Sequence, residues 1–380
     1  MKAAVLGYGT VGVGVYDMLK ASESLEAGPV LVRKGKENES FKVSDLSEIT
    51  GDSSVKAVAE VMGGIEPAFS YARAAIEAGK HFVTSNKALV AAHGIELDRL
   101  AREKGVSFLF SAACGGGVPF LHNLAIASEN DAILSVGGIL NGTTNYMLDS
   151  MQSSGKDYSE ALKEAQALGY AEADPTADVS GLDALRKIML ACAVAWDALP
   201  VSGLLNEGID SLTAADVAHF KSMGLTCRLL ANGAPAGDTV CAYVEPVLFK
   251  NKAPECSVLK NFNMAKYEAV NAGRIVLMGQ GAGRKPTASA VIRDLSAVEE
   301  CGHMLRACCR EVCADNSGAV HRYYVRMPEG VSADFALKKI CSDGECVRAF
   351  TEPVSVEKMH AFAAEIRKEG AGIFFAALDE

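Results

Sequence analysis

Glu172, Asp174, Asp178, Asp183 and Lys187 crowd one short stretch of the chain, between Gln166 and Pro200. A lysine ringed by carboxylates can serve to move a proton. The first part of the stretch contains Pro175 and Gly181 and no apolar periodicity, so it reads as loop. From Leu182 the pattern turns helical, with Leu182, Leu185, Ile188, Met189 and Cys192 on one stripe. Asp183 and Lys187 then share a helical face. Taken alone they could equally be a surface ion pair of little consequence. The helix itself favours chemistry. No charge follows Lys187 until Asp197, so the helix is expected to be buried, with its first turn at the mouth of a buried site. Partial desolvation there would bring the lysine toward its working range.

A second set of residues opens the chain. Lys2 to Gly7 reads as a buried strand, Gly7-Tyr-Gly-Thr-Val-Gly12 follows, and Val13 to Lys20 reads as helix. In this setting GxGxxG indicates dinucleotide binding. Gly7 permits the turn, Gly9 admits a pyrophosphate, and Gly12 lets helix and strand pack closely. The amides of Thr10 and Val11 would face the phosphates. The second strand, Pro29 to Val32, ends in Arg33 and Lys34, where an NAD-selective site would carry an acid. Two cations suit the 2′-phosphate of NADP, so NADP is expected ahead of NAD; a solvated basic loop is the plainer reading. His81 to Ser85 is a further strand, and Ser85 and Lys87 stand at its carboxyl end, where ligands of such sheets bind. Gly279 to Gly283, before Pro286, repeats the order of strand, glycine turn and helix.

Composition sets the bounds. The 380 residues suit two or three domains, and 49% hydrophobic with 22% charged is ordinary globular composition. A net charge of −10 argues against nucleic acid, and no apolar run is long enough for a membrane span. The start shows no basic leader. Eleven cysteines without paired spacing read as free thiols in a reducing cytoplasm rather than a metal site.

The run GYAEADPTADVSGLDALRK, with GGILNGTTNYML before it and GQGAGRKPTASAVIRDL after it, resembles homoserine dehydrogenase. The resemblance covers roughly Met1 to Leu295. It implies NAD(P)-dependent interconversion of L-aspartate 4-semialdehyde and L-homoserine, a step of threonine and methionine biosynthesis. The fold it implies is α/β: a Rossmann-type domain (1–130 with 284–312) and an α+β substrate and dimerisation domain with an open sheet (131–283). It further implies that Lys187 donates the proton, that Glu172 and Asp183 hold the substrate ammonium, and that Asp178 orients the lysine. By the same resemblance Lys87 lies by the nicotinamide and substrate, and the amides near Gly281 face the cofactor. The family's cation loop matches Ser111 to Pro119. Its glutamate falls at Ser111, which supplies no charge, so only the main-chain carbonyls of Cys114, Gly116 and Val118 remain as ligands. Residues 318–380 resemble a shortened ACT domain, read as strand, helix over Ala333 to Ile340, strand, helix and strand. The expected partners are a small-molecule substrate and a second copy of the chain. The alternatives are a nucleotide-sensing protein that lost turnover, and a dehydrogenase for another small amino-acid aldehyde.

Overall fold

β1 (Lys2–Leu6) is short and apolar, and Ala3 to Leu6 are wholly buried, as a strand covered on both faces must be. It lies inside a six-stranded sheet in a computed structural model that describes residues 1–342 and 344–379, with the side chains of 300 and 301 left aside. The chain divides into two units. One comprises Met1–Ile133, Met189–Leu199 and Tyr267–Glu311; the other comprises Leu134–Ile188, Pro200–Lys266 and Val312–Glu380.

In the first unit β1 is followed by α1 (Thr10–Ala21), β2 (Glu26–Leu31), β3 (Lys42–Val43), α2 (Ser47–Thr50) and β4 (Val55–Glu60). Then come α3 (Ala68–Glu77), β5 (His81–Thr84), α4 (Lys87–Lys104), β6 (Phe108–Leu109) and α5 (Phe120–Asn130). The strands lie in the order β3-β2-β1-β4-β5-β6, each parallel to its neighbours. The order reverses between β1 and β4, which is where open parallel sheets bind ligands at their carboxyl ends. α4 is punctuated by its own sequence. Asn86 caps it by accepting from Leu89 N, and Gly105 closes it at a φ of 65°.

The second unit takes up β7 (Ile133–Ile139), α6 (Gly142–Ser154), α7 (Tyr158–Ala167), α8 (Thr176–Val179) and the first turns of α9 (Leu182–Trp196). After β8 (Ala198–Ser202), β9 (Leu205–Asn206) and α10 (Ala214–Ser222) it forms a long hairpin of β10 (Leu225–Ala236) and β11 (Thr239–Lys250). The register runs from Leu225↔Lys250 to Ala236↔Thr239, so Gly237 and Asp238 alone make the turn. β10 escapes the apolar pattern of the sequence because it carries Arg228. That side chain is 1% exposed and donates to the carbonyls of Cys227 and Glu255. β12 (Phe262–Ala269) follows, and β13 (Gly273–Gln280) and α11 (Arg284–Cys301) belong to the first unit. α11 ends at Gly302, which has a φ of 60°.

The tail contains β14 (Arg310–Cys313), β15 (Val320–His321), β16 (Tyr323–Pro328), β17 (Leu337–Ser342), β18 (Cys346–Thr351), β19 (Val354–Ser355), α12 (Val356–Lys368) and β20 (Phe374–Leu378). Its main strands lie in the order β20-β16-β18-β17, all antiparallel. Numbered one to four along the chain, that is 4-1-3-2, the order of a split βαβ unit. α12 is its second crossover helix. The helix expected over Ala333 to Ile340 is not there: residues from Leu337 pair with β18 instead, and Phe335 packs edge-on to Phe362 at 4.9 Å. Pairing and aromatic packing outweigh a weak local helix preference. β20 also pairs with β11, so the tail extends the sheet of its unit. Tyr323, Val325, Met359 and Phe375 share one core with Ile139, Leu230 and Phe249.

Candidate active site

β7 ends at Ile139, and the next residues, Leu140 and Asn141, turn the chain into α6. Lys187 docks on that corner. Its Nζ donates to the Leu140 carbonyl at 2.6 Å and to Asp183 Oδ2 at 2.7 Å. Lys187 is 7% exposed and Asp183 8%. The pair is therefore no surface ion pair. A buried ammonium that is hydrogen-bonded from two elements has a fixed place. Asn141 Nδ2 donates to Asp183 Oδ2 at 2.9 Å and to Asp178 Oδ1 at 2.8 Å. Asn263 donates to the same Leu140 carbonyl at 2.8 Å, and its own Oδ1 is buried with no partner in the protein.

Of the residues singled out above, Lys187 and Asp183 are thus in direct contact, and Asp178 joins them through Asn141. Glu172 is exposed on the turn after α7, where Gln166 donates to its carbonyl. Asp174 is also exposed. It accepts from the Thr176 hydroxyl and amide, which hold its carboxyl below the usual range, and so it acts as a turn residue.

The first unit builds the nucleotide end. Gly7 has a φ of 101°, and a Cβ at Gly12 would lie 2.0 Å from the Gly7 carbonyl oxygen. At Gly9 a Cβ would meet nothing within 4 Å, and α1 starts there with no side-chain cap and no acid in its first turn. The amides of Thr10 and Val11 thus open a helix beside empty space. That is the shape and polarity that a pyrophosphate needs, so the residues present fit a dinucleotide. Arg33 and Lys34 are exposed just beyond β2. Lys87 is the first residue of α4, and the Ser85 amide donates to the Glu60 carbonyl.

Glu60 itself went unremarked in the sequence. It is fully buried at the end of β4 and accepts from the Thr84 hydroxyl at 2.5 Å and the Met62 amide at 2.6 Å. Burial raises its pKa against the pull of those bonds. Asn86 continues the chain by donating to the Gly64 carbonyl at 2.5 Å. The loop after β4 and the start of α4 are thereby tied together.

The loop from Ser111 to Pro119 packs against the second glycine turn. A Cβ at Gly116 would lie 2.6 Å from the Gly281 carbonyl, and the Gly117 amide donates to the Gln280 carbonyl at 3.0 Å. The Val118 carbonyl accepts from Phe120 N at 2.8 Å, and the Gly117 carbonyl from Arg293 at 3.4 Å. The Cys114 thiol is buried. The Ser111 hydroxyl donates to the buried Asp294 carboxylate, which also accepts from Ala112 N at 3.2 Å. Burial pushes the Asp294 carboxyl up to about 6. Among the described residues, no group of three metal-ligating side chains occurs, and no helix is long and apolar enough to cross a membrane.

Known proteins agree with this layout. Residues 7–111 match the family model described as homoserine dehydrogenase, NAD binding domain, and residues 119–296 match that of homoserine dehydrogenase. The chain is 40% identical to the homoserine dehydrogenase of Corynebacterium glutamicum over 77% of its own length and 70% of that protein. It is 37% identical to that of Synechocystis over 78% and 72%. A crystal structure of a homoserine dehydrogenase from Thiobacillus denitrificans superposes with a TM-score of 0.88 at 28% identity, covering 100% of this chain and 98% of that one.

Proposed function

The chain belongs to the homoserine dehydrogenase family, and on that premise we propose how its residues divide the work of an NAD(P)-dependent oxidoreductase. The reaction interconverts L-homoserine and L-aspartate 4-semialdehyde. A bound nicotinamide takes or supplies the hydride. The chain must hold the amino acid and move one proton at the substrate oxygen.

Lys187 moves that proton. As the neutral amine it takes the proton from the hydroxyl during oxidation, and as the ammonium it gives the proton to the forming alkoxide during reduction. The observation that carries this reading is the buried Lys187 ammonium, held by Asp183 and by the Leu140 carbonyl. Asp178 orients the lysine from α8. Glu172 and Asp183 hold the substrate ammonium. Lys87, at the carboxyl edge of the parallel sheet, stands by the nicotinamide. The amides of Thr10, Val11 and the Gly281 turn receive the phosphates.

NADP is taken in preference to NAD, because Arg33 and Lys34 stand where a ribose-binding acid would be. A monovalent cation is not required. The Val118 carbonyl is engaged by Phe120, and Arg293 already brings positive charge to the Gly117 carbonyl. The active form is a homo-oligomer. β13 is the outer strand of its sheet, and it exposes Val276 (41%) and Met278 (57%), side chains suited to burial against a second copy.

Homoserine-dependent reduction of NADP and of NAD, followed spectrophotometrically, tests the assignment. Lys187→Ala should lose about 100- to 10,000-fold in turnover while cofactor affinity stays near the parent's. A variant that stays within a few-fold of the parent rate would show that the proton passes elsewhere. A parent that favours NAD would remove Arg33 and Lys34 from the cofactor site.

A further inference from the structure

The carboxylates around Lys187 converge on one neutral side chain. Asn141 is 4% exposed, and its Oδ1 accepts from the Thr144 amide at 2.8 Å, capping α6. That contact fixes which way the amide group points, because only the oxygen can face an N–H donor. Its nitrogen then has two hydrogens to give, and both go to acids: Asp178 Oδ1 at 2.8 Å and Asp183 Oδ2 at 2.9 Å. The same Asp183 oxygen accepts from Lys187 Nζ at 2.7 Å. The lysine's other contact is the carbonyl of Leu140, the residue just before Asn141.

Two carboxylates drawn to one point repel each other. A second cation would relieve this but would also repel Lys187. A neutral amide with two donors relieves it without adding charge. Among the described residues, the charged groups that meet Asn141 on this corner include Asp183, from the lysine's own helix, and Asp178, from α8. β7 leads into a carbonyl, and β12 presents the neutral Asn263.

We infer that Asn141 is a positioning residue for proton transfer. Its amide clamps Asp178 and Asp183 in the arrangement that fixes Lys187, in addition to capping α6. This rests on the role given to Lys187 above. The two duties separate by substitution. Asn141→Asp keeps an acceptor for the Thr144 amide but loses both donors and adds a carboxylate. Asn141→Ser also keeps a capping oxygen but adds no charge and is too short to span both acids. Asn141→Ala loses the cap as well.

The experiment measures kcat and KM for homoserine across pH, together with thermal melting, for the parent and the three variants. Asn141→Asp should melt below the parent, because a third carboxylate joins two others, and should lose on the order of 10- to 100-fold in kcat. Its kcat/KM profile on the acid side should move up by about one pH unit, since added negative charge favours the protonated lysine. Asn141→Ser should lose kcat without that movement, and it keeps the test open if Asn141→Asp fails to fold. Asn141→Ala should also melt lower. If Asn141→Asp and Asn141→Ser both keep kcat within about threefold of the parent, with an unmoved profile, Asn141 is a helix cap alone and the inference is overturned. A parent that shows no homoserine-dependent turnover would instead overturn the assigned reaction, which the same assay reveals separately.

Discussion

Asp294 is a buried acid for which the proposed reaction has no use, and its cost can be read from a titration. Its carboxyl rises from 3.8 to about 6 on folding, chiefly through burial, with Ser111 and Ala112 pulling the other way. The sign is the reverse of a salt-bridged acid. Between about pH 4 and pH 6 the folded protein holds a proton that the unfolded chain releases. Stability from this group is therefore present at low pH and lost as pH rises through 6. The loss is on the order of 3 kcal/mol. Asp294→Asn cannot titrate, so in urea melts its stability relative to the parent should climb across that window. A flat difference from pH 4 to pH 7 would mean that Asp294 keeps an ordinary carboxyl pKa. Asp294 was not legible as a partner of Ser111, because the two lie 183 residues apart. The same holds for Asn141, whose cap on α6 is visible in NGTTN while the acids it clamps lie 37 and 42 residues on.

Among the elements, the turn from β1 into α1 allows a clean separation of folding from binding. A Cβ at Gly12 would lie 2.0 Å from backbone oxygen, whereas one at Gly9 would meet nothing within 4 Å. Gly12→Ala should therefore lower the melting temperature and abolish cofactor binding together. Gly9→Ala should melt like the parent and still bind NADPH at least about tenfold more weakly, since the methyl occupies space meant for phosphate. Fluorescence titration against NADPH, beside a thermal melt, distinguishes the two. Unimpaired binding by Gly9→Ala would move the phosphates off this turn. The sequence read this element well, since strand, turn and helix are all written in neighbouring residues. It also read α9, where the Asp183–Lys187 spacing is local. It failed at β17, because Phe335 and Leu337 follow partners on α12 and β18 rather than their own neighbours. It missed β10 because a buried arginine interrupts the strand's apolar face.

At the scale of the whole chain, the tail is bound into its unit by charge as well as by sheet. Glu207 takes two bonds from Arg367 at 2.9 and 2.5 Å, Asp216 accepts from Tyr324 and from Arg326 at 3.0 Å, and Glu245 meets Tyr323 and His360 at 3.4 and 3.2 Å. Burial raises the Glu207 carboxyl even against the pull of Arg367. Arg367→Ala would strand that acid. Removing one partner of a fully buried pair costs about 3–5 kcal/mol, and the partly exposed arginine puts this case below that range. Chemical denaturation should show a loss of roughly 1–3 kcal/mol, largely restored when Glu207→Gln is added. An additive double mutant would mean that the two groups do not interact.

These three acids also bear on ancestry. The family models end at residue 296, before the tail begins. Without the tail Glu207 would lose Arg367, and Glu245 would lose Tyr323 and His360, whereas Asp216 would keep the Thr213 hydroxyl and amide as partners. The tail is therefore what an acid at 207 or 245 serves. Relatives that stop near residue 310 should show no preference for an acid at the positions of Glu207 and Glu245. Aligning such shorter sequences checks this, and acids at both positions in most chains without a tail would show that these residues serve something else.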